Sequence, residues 1–245
     1  MRLPLAALSL GLFSALSATA APPATHEAAY QSTAAALSRL APDANPRVLA
    51  LALQARDCAA AQSGEAAAPR LAVIDYSKPS LEKRLWVFDL ASNTLLFHEV
   101  VAHGQGSGEN LANAFSNRDG SHQTSLGLFR TGETYQGSNG YSMRMVGLEP
   151  GVNDAAMSRA IVMHGAPYVN LATARKQGRL GRSGGCPAVR PEVARQVIDS
   201  LKNGQMIFAY YPESNWLAKS PYIHCRDREL AAAGASSNPR AVAAQ

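Results

Sequence analysis

Two short stretches carry residue types that can do covalent chemistry together. In GRSGGCPAV (Gly181–Val189) one cysteine, Cys186, stands behind two glycines and ahead of a proline. A cysteine is a nucleophile only as a thiolate that a substrate can reach. Gly184 and Gly185 remove two side chains before it and free the backbone for positive φ. N–H groups in such a turn can converge on the oxyanion of a tetrahedral intermediate. Pro187 fixes φ on the far side and offers no N–H. A buried structural cysteine in a Gly-Gly turn has the same local sequence, and the turn read alone favours that duller role. The second stretch, AIVMHG (Ala160–Gly165), is a short apolar run that ends on His164, with Gly165 permitting a sharp exit. A histidine emerging at a sheet rim and oriented by a third group can take a thiol proton, the Cys–His logic of covalent catalysis. His103 and His122, in loops, are second candidates for the base; His98 falls mid-strand, and His26 and His224 lie in the flanks.

Other chemistries find less support. Zinc wants three or four ligands at short local spacings, and the chain has no CxxC, no HExxH and no histidine pair at helical spacing, so no metal is expected. No Walker loop and no GxSxG elbow is present. The glycine-rich Gly104-Gln105-Gly106-Ser107-Gly108 follows a strand without opening a convincing helix and reads as a flexible loop. The net charge of +5 is mild for 245 residues, and the lysines and arginines are scattered. No basic stripe interleaved with aromatics exists, so nucleic acid is not an expected partner. A weakly basic surface suits an anionic polymer.

The elements that must position the two stretches are mostly strands. Hydrophobic residues make up 47% and charged residues 17%, a folded rather than disordered profile. Residues 1–20 read as a secretory signal peptide: Arg2, an apolar run from Leu3 to about Leu16, then Ala18-Thr19-Ala20 before Ala21. The run is short for a membrane span, so no integral membrane segment is expected after cleavage, and the protein is expected in the periplasm or cell envelope. Residues 21–69 form an Ala-rich arm, with helices predicted over His26–Leu40 and Pro46–Ala61 and then a linker. LAVIDY, RLWVFDL, TLLFHEVVAH, LGLFRTG, YSMRMVGL, AIVMHG and QMIFAYY read as strands. PEVARQVIDSLKNG reads as a helix with Pro191 in its first turn and Asn203-Gly204 as its stop. The predicted architecture is mainly β, a domain over 70–212 with short helices, followed by a C-terminal tail over 213–245 that is partly disordered. Three cysteines in an exported chain leave at least one unpaired or paired between chains. Cys58 and Cys225 could pair, leaving Cys186 free, but spacing does not fix that connectivity.

IVMHGAPYV, then GRSGGCPAV, then a helix and a strand ending in YYP together resemble the murein L,D-transpeptidase catalytic-domain (YkuD-type) family over about residues 70–212. Its signature, His-Gly and then Ser-x-Gly-Cys after a variable insert, maps to His164-Gly165 and to Ser183, Gly185 and Cys186, with Gly184 at x. VAHGQGSG and TSLGLF resemble its strand-turn signature, and FSNRDGSHQTSLGLFRTGETY, GYSMRMVGLEPGVNDAA and RAIVMHGA fit the narrower murein branch. The resemblance implies a β-sandwich-like fold and a thiol acyltransferase without a cofactor. By it, Cys186 is the nucleophile, His164 its base, and Gly165 orients the imidazole through its carbonyl. Ser183 and the N–H groups around Gly185 and Cys186 would shape the oxyanion site. Tyr168 and Arg182 are expected to contact substrate, Arg182 with Arg175, Lys176 and Arg179 as a basic flap. The implied partner is a peptidoglycan tetrapeptide stem, bound by a monomer. Attack on the carbonyl of its third residue would expel the terminal D-Ala and leave a thioester. An amine of another stem then gives a 3→3 cross-link; water gives an L,D-carboxypeptidase. Relatives commonly carry a histidine or bulky residue where Gly184 stands, so an inactive wall-binding protein of the same fold is the alternative.

Overall fold

The computed structural model describes residues 26–225; the expected signal peptide and residues 226–245 lie outside them. Seven strand-length runs of β-branched and aromatic residues become strands, and an eighth, two-residue strand follows the cysteine. The strands are β1 (Arg70–Asp75), β2 (Leu85–Asp89), β3 (Thr94–Glu99), β4 (Gly127–Gly137), β5 (Gly140–Gly147), β6 (Val162–Gly165), β7 (Ala188–Val189) and β8 (Met206–Tyr210). They form one sheet in the order β3-β2-β1-β8-β4-β5-β6-β7. β1 and β8 pair in parallel at its centre, with Val73 opposite Phe208. Leu71 through Ile74 and Met206 through Tyr210 are buried, as continuous apolar runs covered on both faces should be.

The sheet curls until its edges meet. The chain leaving β3 runs along β7, where Ala102 N–H donates to Ala188 O at 2.8 Å and Gly104 bridges to Ser183. This closure covers the short edge strand that carries the cysteine turn and gives a barrel-like fold. Arg190, just past β7, clamps the same seam with a two-toothed ion pair to Glu99 at the end of β3, at 2.8 and 3.0 Å.

Helices cover the sheet. α1 (His26–Leu40) and α2 (Pro46–Ser63) form as their spacing predicts, with Asn45 capping α2 through the Arg47 N–H and Gly64 closing it at φ 69°. They do not stand off as an arm: Leu37, Leu49 and Leu53 are at most 1% exposed and share one core with Leu71 and Phe208. Burying a leucine this fully is worth about 1.5–3 kcal/mol, so the pair contributes to the sheet's stability. Inside the insert before the cysteine lies α3 (Leu171–Gln177), capped by Asn170 through the Thr173 N–H. α4 (Pro191–Leu201) places Val197, Ile198 and Leu201 on the sheet.

Residues 213–225 are also structured. α5 (Ser214–Lys219) seats Trp216 against Phe208, with ring centres 5.7 Å apart, and its indole N–H donates to the buried Glu149 at 2.8 Å. A disulfide joins Cys58 of α2 to Cys225, with Cα atoms 5.9 Å apart, so these two cysteines pair. Among the described residues no helix is long and apolar enough to cross a membrane.

Candidate active site

Strand register brings the two predicted stretches together. β6 pairs in parallel with β7, so His164 lies opposite Ala188, two positions past Cys186. Cys186 is the free cysteine among the described residues and is partly exposed. Its Sγ accepts from the Val162 N–H at 3.4 Å and donates to the Ala160 carbonyl at 3.7 Å, so the chain leading into β6 wraps the sulfur. Ala160 makes this approach in the left-handed region, at φ 52°, a conformation an alanine holds only when its surroundings impose it.

His164 is buried, and its Nδ1 lies 3.0 Å from the Gly165 carbonyl. A carbonyl can only accept, so Nδ1 carries the proton and Nε2 keeps its lone pair. Gly165 itself is required by space: a Cβ there would stand 2.7 Å from the Cβ of Ala194, where α4 crosses. Burial lowers the His164 pKa, and the Gly165 carbonyl partly offsets this. Burial raises the Cys186 thiol, with the Val162 N–H and the Arg159 charge pulling it back. Both shifts favour the neutral thiol and neutral imidazole over an ion pair in the resting protein.

Ser183 braces the turn from inside. Its hydroxyl accepts from the Gly185 N–H at 3.1 Å and donates to the Cys186 carbonyl at 2.6 Å. The Gly185 N–H is thus engaged within the turn. Among the described residues the N–H groups of Gly184 and Cys186 make no such bond. Gly185 is instead needed for its backbone, at φ 130°, and because a Cβ would meet Gln123 O at 2.8 Å. Gly184 differs. It is exposed, lies outside the left-handed region, and a Cβ there would meet only His122 Nδ1, at 3.7 Å. The departure from the family signature therefore leaves the turn's geometry intact.

The other predicted residues separate. Tyr168 stands edge-on to His164, with ring centres 6.4 Å apart. Burial, and next the nearby Cys186, push its phenol up to about 12. Arg182 is not an open cation: its Nη1 donates to Gly108 O at 2.8 Å and to Glu109 at 2.7 Å, which ties it to the 104–109 loop. Arg179 joins the same carboxylate, so these two flap residues frame the loop rather than a free basic surface. His103 is buried away from the thiol, its Nδ1 accepting from Arg84 at 2.8 Å, while its carbonyl takes the Ser183 N–H. His122 is exposed beside Gly184, at φ 53°.

Two contributors, Thr124 of TSLGLF and Arg159 of RAIVMHGA, are not singled out as site residues by the sequence. Thr124 Oγ1 accepts from the Gly104 N–H at 2.9 Å and donates to Gly185 O at 3.3 Å, joining the glycine-rich loop to the cysteine turn. Arg159 places a cation near the sulfur from an irregular turn, where no periodicity could announce it. Among the described residues no group of three or more His, Cys, Asp or Glu side chains is arranged to hold a metal ion.

The chain is similar to known proteins. An L,D-transpeptidase from Mycobacterium smegmatis is 16% identical, with a TM-score of 0.37 and coverage of 60% of this chain and 61% of that one. The L,D-transpeptidase LdtMt1 in complex with imipenem is 16% identical, with a TM-score of 0.36 over 58% and 59%. An L,D-transpeptidase from Stackebrandtia nassauensis is 13% identical, with a TM-score of 0.34 over 78% and 98%. The chain thus spans about three fifths of the length of the first two. No curated protein matches the sequence significantly. The profile of the L,D-transpeptidase catalytic domain matches residues 40–210, from the last residue of α1 through β8 and across both halves of the site. The chain belongs to the L,D-transpeptidase catalytic-domain family.

Proposed function

We propose that this protein is a cysteine-dependent L,D-transpeptidase that acts on peptidoglycan tetrapeptide stems through a thioester. The observation that carries the reading is the His164 contact at Nδ1: with Nδ1–H on Gly165 O, Nε2 keeps its lone pair to act as a base, and strand register sets His164 opposite Ala188, two positions past the free cysteine. His164 Nε2 takes the Cys186 proton as the thiol leaves the Ala160 carbonyl. Sγ bonds to the carbonyl carbon of the third stem residue, and the oxyanion is met by the N–H groups of Cys186 and Gly184. Collapse breaks the amide C–N bond, and His164 returns the proton to the departing D-Ala amine. An amine of a second stem then attacks the thioester, its proton passes through His164 back to sulfur, and a 3→3 cross-link results. Water in place of the amine gives the L,D-carboxypeptidase outcome.

Ser183 and Gly185 hold the turn's shape, Gly165 orients the base, Tyr168 walls the donor side, and Arg182 frames the loop beside it. The reading places the protein as a monomer, exported to the periplasm or cell envelope; the Cys58–Cys225 disulfide supports an oxidising compartment. Release of D-Ala from a purified tetrapeptide stem tests the reading. His164→Ala is expected to slow it about 10²–10⁴-fold; release at the wild-type rate would remove His164 from the reaction.

A further inference from the structure

Arg159 reaches the cysteine turn as a cation held only by neutral oxygens. Its Nη1 donates to Ser116 O at 2.8 Å and Ser125 Oγ at 2.6 Å. Its Nη2 donates to Gln123 O at 2.8 Å and Ser121 Oγ at 3.2 Å. Among the described residues no carboxylate forms an ion pair with it. The exposed Asp119 acts on it from beyond ion-pair distance. Three arginines around the insert and the seam differ: Arg179 and Arg182 share Glu109, and Arg190 holds Glu99. Four uncharged acceptors fix the position of Arg159 without neutralising it, and a partly buried cation in that state favours an anion.

The placement says which anion. Nη2 lies 3.4 Å from the point where a Cβ on Gly185 would project, directly before the nucleophile. The cation is also close enough to stabilise the Cys186 thiolate. An acyl donor seated for attack puts its scissile carbonyl at Sγ. One residue spans about 3.3–3.6 Å, so a guanidinium held against the residue before the nucleophile suits the free carboxylate of a single residue beyond that carbonyl. The Nε–H, which has no acceptor among the described residues, and the Nη2–H on the long Ser121 contact are the groups it would take. An internal residue offers a neutral amide there.

We propose that Arg159 recognises the α-carboxylate of the residue expelled from the donor, and so makes the enzyme count to the end of the stem. This rests on the acyl-transfer reading above. It requires that a stem with exactly one residue past the attacked carbonyl react better than the same stem amidated or extended.

The test compares kcat/KM for five synthetic donors: a tetrapeptide acid, its C-terminal amide, a pentapeptide acid, and the tetrapeptide acid and amide whose third residue lacks a side-chain carboxylate. The wild type should favour the tetrapeptide acid over the amide and the pentapeptide by about tenfold or more, mainly through KM, as expected for a charge-assisted contact. Arg159→Gln should bring those ratios close to one, and Arg159→Lys should keep part of them. Equal use of acid and amide by the wild type overturns the proposal, whether or not the variants fold. So does a ratio that survives Arg159→Gln, or one that disappears when the third residue loses its side-chain carboxylate. Failure of the acyl-transfer reading looks different: no donor loses its terminal residue.

Discussion

Protonating His103 should loosen the frame of the active site, and the structure gives the size of the effect. His103 is 1% exposed, and its Nδ1 accepts from Arg84, which is fully buried. Burial first, and then the charges of Arg84 and Arg182, lower its pKa from 6.5 to about 4, although its bonds to the backbone of Gly108 and Glu109 oppose this. Arg84 stays charged, at about 10, so an added proton on His103 faces a guanidinium 2.8 Å away. A histidine whose folded pKa is depressed leaves the unfolded chain holding more protons between the two values. Its contribution is therefore complete above pH 6.5 and is lost as pH falls toward about 4. At about 1.4 kcal/mol per pH unit, going from pH 7.5 to pH 4.5 costs the protein about 2.5 kcal/mol through this group. Asp89, Glu109 and Asp199, whose carboxyls are held low by their hydrogen bonds, add to the acid loss, while the desolvated Glu149 acts against it. His103→Gln separates these contributions, because an amide oxygen can accept from Arg84 and an amide N–H can donate to Gly108 O, and neither titrates. Urea unfolding of both proteins at the two pH values should show the wild type losing about 2.5 kcal/mol more than the variant. Equal losses would refute the reasoning. Because the His103 carbonyl holds the Ser183 N–H, reactivity of the cysteine turn should fall over the same pH range.

Three further outcomes follow from the geometry. Gly185→Ala, forced into φ 130° with its Cβ 2.8 Å from Gln123 O, should cost about 2–4 kcal/mol and nearly all activity. Gly184→Ala, with open space around it, should melt within about 0.5 kcal/mol of wild type; the reverse order would contradict the division of labour between the two glycines. Reducing the Cys58–Cys225 bond, which spans 167 positions, should lower the urea midpoint by the equivalent of about 2–5 kcal/mol. A Cys58→Ala/Cys225→Ala protein should be insensitive to reductant, as read by the same melts with and without dithiothreitol.

How much of this was legible depended on whether the signal was local. The strands were readable because Leu71–Asp75 and Met206–Tyr210 are runs whose residue types and length suit a covered strand. Cys186 and His164 were readable as a pair, since neither alone outweighs a structural role. The helical pair was visible as helices but not as core. Alanine-rich faces carry little hydrophobic contrast, and Ala52, Ala55 and Ala59 are buried because their small side chains let α2 lie close to the sheet. α5 escaped notice because six residues hold too little periodicity, and its anchor is one tryptophan. The cost of bracing the turn was not legible either: that Ser183 consumes the Gly185 N–H, and that Arg182 is tied to Glu109, are facts of geometry. Arg159 opens RAIVMHGA, but nothing in that run announces what its side chain touches. Its partners come from residues 116–125, across the fold.

The central claim, that Cys186 is an acylating nucleophile, is tested most directly by intact mass after incubation with a carbapenem, whose strained lactam carbonyl offers an acyl group to any activated thiol. The account predicts one covalent adduct of the drug's mass on the folded wild-type protein and none on Cys186→Ala. No adduct on the folded wild type, or an equal adduct on Cys186→Ala, would contradict it.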